Sequence, residues 1–149
     1  MVTALLVLQT FHVLFLGLHD WIPLGRLNDV RAVRAENSTS KLVFGTLIST
    51  MPFAFGWIAS VHYLAGIYPG WLRVWLWVSY AMLCVGELQA WWVPYLLRPE
   101  PQRAARSAAM FGRTHAFLPV HNGIRPNTLH IVLHTATALT LVLLCLTLC

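Results

Sequence analysis

Charge is scarce in this chain. Only 10% of its 149 residues are Asp, Glu, Lys or Arg, while 58% are hydrophobic. A soluble domain carries roughly 25% charged residues, and a globule of this size could not cover its surface with so few. A water-soluble fold is therefore excluded. Disorder is excluded by the same hydrophobicity. Cysteine is scarce too: three residues, an odd number, do not make a disulfide-stapled scaffold. No glycine-rich phosphate loop occurs, nor any adjacent His-His pair. What remains is an integral membrane protein.

Four stretches are long and apolar enough to cross a hydrocarbon core, which takes about 20 helical residues. They run over about 2–21, 42–64, 71–96 and 128–149. Helices are expected, since four open strands cannot satisfy their backbone groups in lipid. The first stretch has no basic segment before it and no small-residue cleavage pattern, and reads as a retained helix. The expected fold is all-α: one membrane domain over 1–149, an antiparallel four-transmembrane-helix bundle with loops at 22–41 and 97–127 forming an interfacial cap.

The basic residues give it sides. Arg26, Arg31, Arg34 and Lys41 fall in the first of those loops, and Arg98, Arg103, Arg106, Arg113 and Arg125 in the second. Only Arg73 lies elsewhere. The positive-inside bias makes the loops cytoplasmic and puts both termini outside. A nucleic-acid partner is a poor fit, because the arginines are split between two juxtamembrane loops. Trp91, Trp92 and Tyr95 suit the inner interface, and Trp71, Trp75 and Trp77 the outer. Pro52, Gly45 and Gly56 should let the second span bend or pack closely.

The loops carry their own signals. A short interfacial helix is expected over 27–36 with Asn28 as its cap, and a polar break at 37–40 caps the second span. Asn37-Ser38-Thr39 matches a glycosylation sequon, discounted on the cytoplasmic side. Residues 102–111 read as a surface helix, and 112–126 as an ordered cap. Asn127 or Thr128 is the natural cap of the fourth span.

Any chemistry must come from polar groups inside the spans, which are costly in lipid and face the bundle interior. Counting helical rise, about 1.5 Å per residue, places His12, Glu87 and His134 in one layer of the cytoplasmic half. His19 and His130 form a second layer nearer the cytoplasm. The spacing of His130 and His134 allows two imidazoles on one metal, with Glu87 as carboxylate and His12 as a further ligand; zinc, non-haem iron or haem would suit. Interhelical hydrogen bonding is the alternative for the same residues, and a proton or ion pathway is another. His19-Asp20 reads as an interface step or an acid-oriented histidine. His62 reads as interfacial, Gln9 and Gln89 as helix-pairing groups, and Cys84, Cys145 and Cys149 as small fillers. In the cap, His19, His115, His121 and Arg125 either complete the site as a lid or satisfy the loop's own backbone.

The blocks His19-Asp20-Trp21-Ile22-Pro23-Leu24-Gly25, Gly86-Glu87-Leu88 with Trp91-Trp92-Val93-Pro94-Tyr95, Phe111-Gly112-Arg113-Thr114-His115-Ala116-Phe117-Leu118-Pro119 and Arg125-Pro126-Asn127-Thr128-Leu129-His130 resemble those of small uncharacterised bacterial four-span membrane proteins. The resemblance covers most of the chain. It implies the topology and a bacterial inner membrane, and no activity. Three functions fit the sequence: a redox or hydrolytic protein with a metal or haem on His12, Glu87, His130 and His134; a non-catalytic accessory subunit packed on other membrane subunits; and a lipid-, cofactor- or ion-binding protein using the same polar pocket.

Overall fold

The structure, a computed structural model, describes residues 1–148. Cys149, read as a filler at the end of the fourth span, lies outside them. Regular structure among the described residues is helical, apart from one isolated bridge between His121 and Ile124.

Helix α1 spans Val2–Leu18. It stops three residues short of the expected end. The backbone N–H of His19 still donates to Phe15, but those of Trp21 and Ile22 both turn back onto the Leu18 carbonyl. Pro23, which has no N–H, follows. Asn28 holds this turn closed: its Oδ1 accepts from Leu24 N at 2.6 Å, and its Nδ2 donates to the carbonyls of His19 and Ile22. Asn28 is therefore not the helix cap expected of it. Asp29 is, with Oδ1 accepting from Ala32 N at 3.0 Å to start α2, Val30–Glu36. An N-cap needs its side chain three residues before the N–H it satisfies, and Asp29 has that register.

Helix α3, Thr39–His62, is capped by Ser38 and continues through Pro52. At Gly56 an added Cβ would lie 3.0 Å from the Leu76 side chain, so this glycine permits close approach to the next helix. Helix α4 covers Gly70–Glu87. It passes through a π turn, Leu88–Trp92, into α5, Val93–Leu96, giving one helical run over 70–96. Helix α6 is Pro101–Phe111 and α7 is Thr128–Leu148. Asn127 caps α7, its Oδ1 accepting from His130 N at 3.0 Å.

The four long segments pack in a ring: α1 on α3, α3 on α4, α4 on α7, and α7 back on α1. Indole ties reinforce it, Trp57 of α3 to Thr10 of α1, and Trp21 in the turn after α1 to Thr46 of α3. Two helices, α3 and α7, are long and apolar enough to cross a membrane; α1 is apolar but has 17 residues. At one end of the ring α2 packs on α6. The two loops are knitted there by Arg113–Asp29 at 2.9 Å, Arg106–Asn37 at 2.5 Å and His115 N to the Arg26 carbonyl at 2.6 Å.

Candidate functional site

Polar groups gather at the middle of the ring. Thr137 of α7 places its hydroxyl between two helices. Its Oγ1 lies 2.8 Å from Glu87 Oε1 on α4 and 3.1 Å from His12 Nε2 on α1. The same hydroxyl lies 3.1 Å from the Leu133 carbonyl one turn back. His12 and Thr137 are fully buried and Glu87 is 7% exposed. Aromatic rings close over the imidazole: Tyr80 edge-on at 5.0 Å, Phe53 stacked at 6.3 Å and Phe11 edge-on at 5.6 Å. His12 Nδ1 lies 2.7 Å from the Leu8 carbonyl. A carbonyl only accepts, so Nδ1 carries a hydrogen and Nε2 is the variable position.

The expected layer is thus assembled in part. His12 and Glu87 meet, through a residue that the sequence reading passed over. Thr137 shares with Thr135, Thr140 and Thr147 a hydroxyl directed at the backbone carbonyl four residues back, and it alone of these also reaches Glu87 and His12. Its signal was position: three residues after His134 and seven after His130, on the face carrying both histidines.

His134 does not join them. Its Nδ1 accepts from Trp92 Nε1 at 3.1 Å. His130 is turned to its own cap, Nδ1 donating to Asn127 Oδ1 at 2.6 Å, with Trp91 at 4.1 Å and Phe111 at 5.1 Å around its ring. The second expected layer is present as a loose contact, the His19 and His130 rings standing 6.3 Å apart. His19 has Nδ1 on the Phe15 carbonyl and Nε2 3.3 Å from Asp20.

A metal would require donor atoms converging at about 2.0–2.2 Å from one point. The rings of His130 and His134 are 6.3 Å apart by centroid, and each has Nδ1 engaged elsewhere. Among the described residues no three His, Cys, Asp or Glu are arranged to hold a metal ion. The set His12, Glu87, His130 and His134 is therefore split, because α7 points Thr137 rather than a histidine at Glu87.

The cap residues satisfy one another. His115 Nδ1 meets Thr128 Oγ1 at 2.7 Å. His121 Nδ1 and Asn122 Nδ2 both donate to the Tyr95 carbonyl at the end of α5. Arg125 donates to the Gly112 carbonyl at 3.0 Å. Asn122 and Gly123, at φ 50° and 75°, form the reversal between His121 and Ile124. Asn-Gly is the usual dipeptide for two successive positive φ angles.

Several buried polar atoms have no hydrogen-bond partner. They are both amide atoms of Gln9, the Tyr80 hydroxyl, Ser60 Oγ, Thr50 Oγ1 and His134 Nε2. Gln9 is one turn before His12 on the same face, and the Tyr80 ring touches that of His12.

Comparison of the chain with protein families, curated proteins and solved structures finds no match.

Proposed function

We propose that the chain is a four-span protein of the bacterial inner membrane that binds and relays a proton at Glu87, Thr137 and His12. The membrane placement is supported by an inverted surface. All four ring helices turn large apolar side chains outward, among them Val7 and Leu14 on α1, Met51 and Ile58 on α3, Val74 and Met82 on α4, and Leu139 and Leu146 on α7. Polar Gln9, His12, Ser60, Glu87, Thr137 and Thr140 are inside. Basic residues crowd the α2–α6 end, as a cytoplasmic face would.

The proton reading rests on the bridging hydroxyl of Thr137. That hydroxyl has one hydrogen and stands between two groups that differ by one proton. In the first arrangement protonated Glu87 donates to Thr137, and Thr137 donates to the bare Nε2 of His12. In the second His12 donates from Nε2, and Thr137 donates to the Glu87 carboxylate. Both arrangements satisfy the bridge, and they interconvert by moving one proton and reversing one hydroxyl. With no proton to share, Thr137 can serve only one neighbour, and buried polar groups left unserved are costly. Glu87, the only one of the three with surface exposure, is the entrance; His12 is the inner end. Tyr80 and Gln9 offer further polar atoms beyond it.

Infrared difference spectroscopy of the purified protein through a pH step tests this. A carboxyl signal absent in Glu87→Gln should shift in Thr137→Val and return in Thr137→Ser. Proton uptake measured on the same step should fall by one per chain in Glu87→Gln. A Glu87 signal indifferent to Thr137→Val would sink the relay.

A further inference from the structure

A cleft of about 580 Å³ lies between α6 and the π turn, lined in part by Trp91, Phe111, Met110, Arg103, Arg106 and Glu100. Its chemistry is two-sided. Trp91 and Phe111 form an aromatic wall, ring centroids 5.2 Å apart, with Met110 beside them. Arg103 and Arg106 stand one helical turn apart.

Both guanidinium groups are held in place by the protein. Arg103 Nη1 donates to the carbonyls of Gln89 and Ala90 at 3.0 and 3.2 Å. Arg103 Nε pairs with Glu100 at 3.0 Å. Arg106 Nη2 donates to Asn37 Oδ1 at 2.5 Å. A guanidinium already fixed loses little freedom when its remaining N–H groups, on Arg103 Nη2 and Arg106 Nη1, meet a ligand. Two positive groups share the cleft with one carboxylate, which itself occupies an anion position on Arg103. The cleft thus asks for an anion with an apolar portion.

We infer that this cleft seats the headgroup of an anionic phospholipid from the cytoplasmic leaflet. The phosphate sits between Arg103 and Arg106, and the glycerol and upper acyl carbons lie against Trp91, Met110 and Phe111. The inference uses the membrane placement proposed above and is independent of the proton site. A soluble phosphate would match the arginines but leave the aromatic wall without a role. A zwitterionic lipid would bring a cation toward two guanidinium groups. Basic pockets at the cytoplasmic ends of membrane helices are suited to anionic headgroups.

Native mass spectrometry of the full chain, released from vesicles of equal phosphatidylglycerol and phosphatidylcholine, is the test. One phosphatidylglycerol should be retained in preference to phosphatidylcholine. Arg106→Gln should reduce that preference about tenfold, the loss of one charge-assisted contact, and Arg106→Lys should keep most of it. Arg31→Gln removes the same charge from the exposed face of α2 and should change nothing. Unaltered melting of Arg106→Gln would show that the loss is local. Equal retention of both lipids, or equal loss in Arg31→Gln, would overturn the site. Displacement of the lipid by inorganic phosphate at equal concentration would overturn the role of the aromatic wall. Failure of the wild-type chain to insert into pure phosphatidylcholine vesicles would overturn the membrane placement instead.

Discussion

Arg103 of α6 replaces the hydrogen bonds that Pro94 removes from α5. Pro94 has no N–H to give Ala90, four residues back, and Val93 N donates to Leu88 instead of Gln89. The carbonyls of Gln89 and Ala90 are thereby left over, and these are the two that Arg103 Nη1 takes. A helix break and an arginine on a separate helix are one arrangement. Arg103→Gln should lower stability by about 1–2 kcal/mol, the worth of a charge-assisted bond. In a Pro94→Ala background the same change should cost less, because the backbone can then serve Ala90 itself. Thermal melts of the four proteins measure this. Equal costs in both backgrounds would separate the two residues.

Thr137 joins three helices through one hydroxyl, so its loss should be felt as coupling. Thr137→Val preserves shape and removes the bridge between Glu87 and His12. The expected cost is about 1 kcal/mol, the usual net worth of an intramolecular hydrogen bond. Combined with Glu87→Gln, the loss should fall short of the sum by about 0.5 kcal/mol or more. Strict additivity in a double-mutant cycle would mean that the two side chains do not share a proton or a bond.

Much of this was readable before the structure. A cap for α3 within 37–40, one for α7 at Asn127 or Thr128, the position of α6 and the shared level of His12 and Glu87 follow from local rules of side-chain length and helical rise. The sequence points one residue too early for the cap of α2 because Asn28 and Asp29 are both good capping residues. What separates them is that Asn28 is used by carbonyls of the preceding turn, which no local rule reveals. His134 stands apart from Glu87 for a different reason. Depth along a helix is legible in the sequence, but rotation about its axis is decided by neighbours. Trp92 draws His134 aside while Thr137 faces inward. The π turn has a signal in Pro94, but the orphaned carbonyls find their donor 13 and 14 residues away.

Gln9 is 1% exposed, with neither amide atom bonded to protein. An amide buried without partners costs about 1–3 kcal/mol. Gln9→Leu, which has similar volume and no polar atoms, should therefore raise the melting temperature by an amount equivalent to about 1 kcal/mol. If Gln9 extends the proton relay, the same variant should slow proton uptake at His12 while gaining stability. A fall in melting temperature would show that the amide has a bonding partner after all.

Gly123 should tolerate no side chain. Its φ is 75°, and an added Cβ would stand 2.7 Å from the Ala104 Cβ on α6. Gly123→Ala therefore combines a disfavoured backbone with a clash, costing about 1–3 kcal/mol. The damage should be confined to the loop over 112–126 and its seat on α6. Limited proteolysis ought to cut that loop faster while the ring helices remain protected. Unchanged cleavage would mean that the loop is not held against α6.

Asp29 gives the cap a dependence on pH. The Ala32 N–H, first, and the Arg113 guanidinium hold its carboxyl below the usual carboxylate range. A group whose folded value is lowered stabilises the folded state above its unfolded value, about 3.9. That contribution is lost as pH falls through the lowered folded value. Asp29→Asn keeps a good N-cap and removes the charge. Wild type should therefore melt higher than Asp29→Asn at pH 7, and the two should converge toward pH 3. The gap should be modest, about 0–1 kcal/mol, because the Arg113 side chain is 79% exposed and its pairing is screened. Asp29→Ala should lose the cap as well, about a further 1 kcal/mol, and that part should persist in acid. A gap between wild type and Asp29→Asn that widens toward pH 3 would reverse the sign of the argument and detach Asp29 from the stability of the α2–α6 layer.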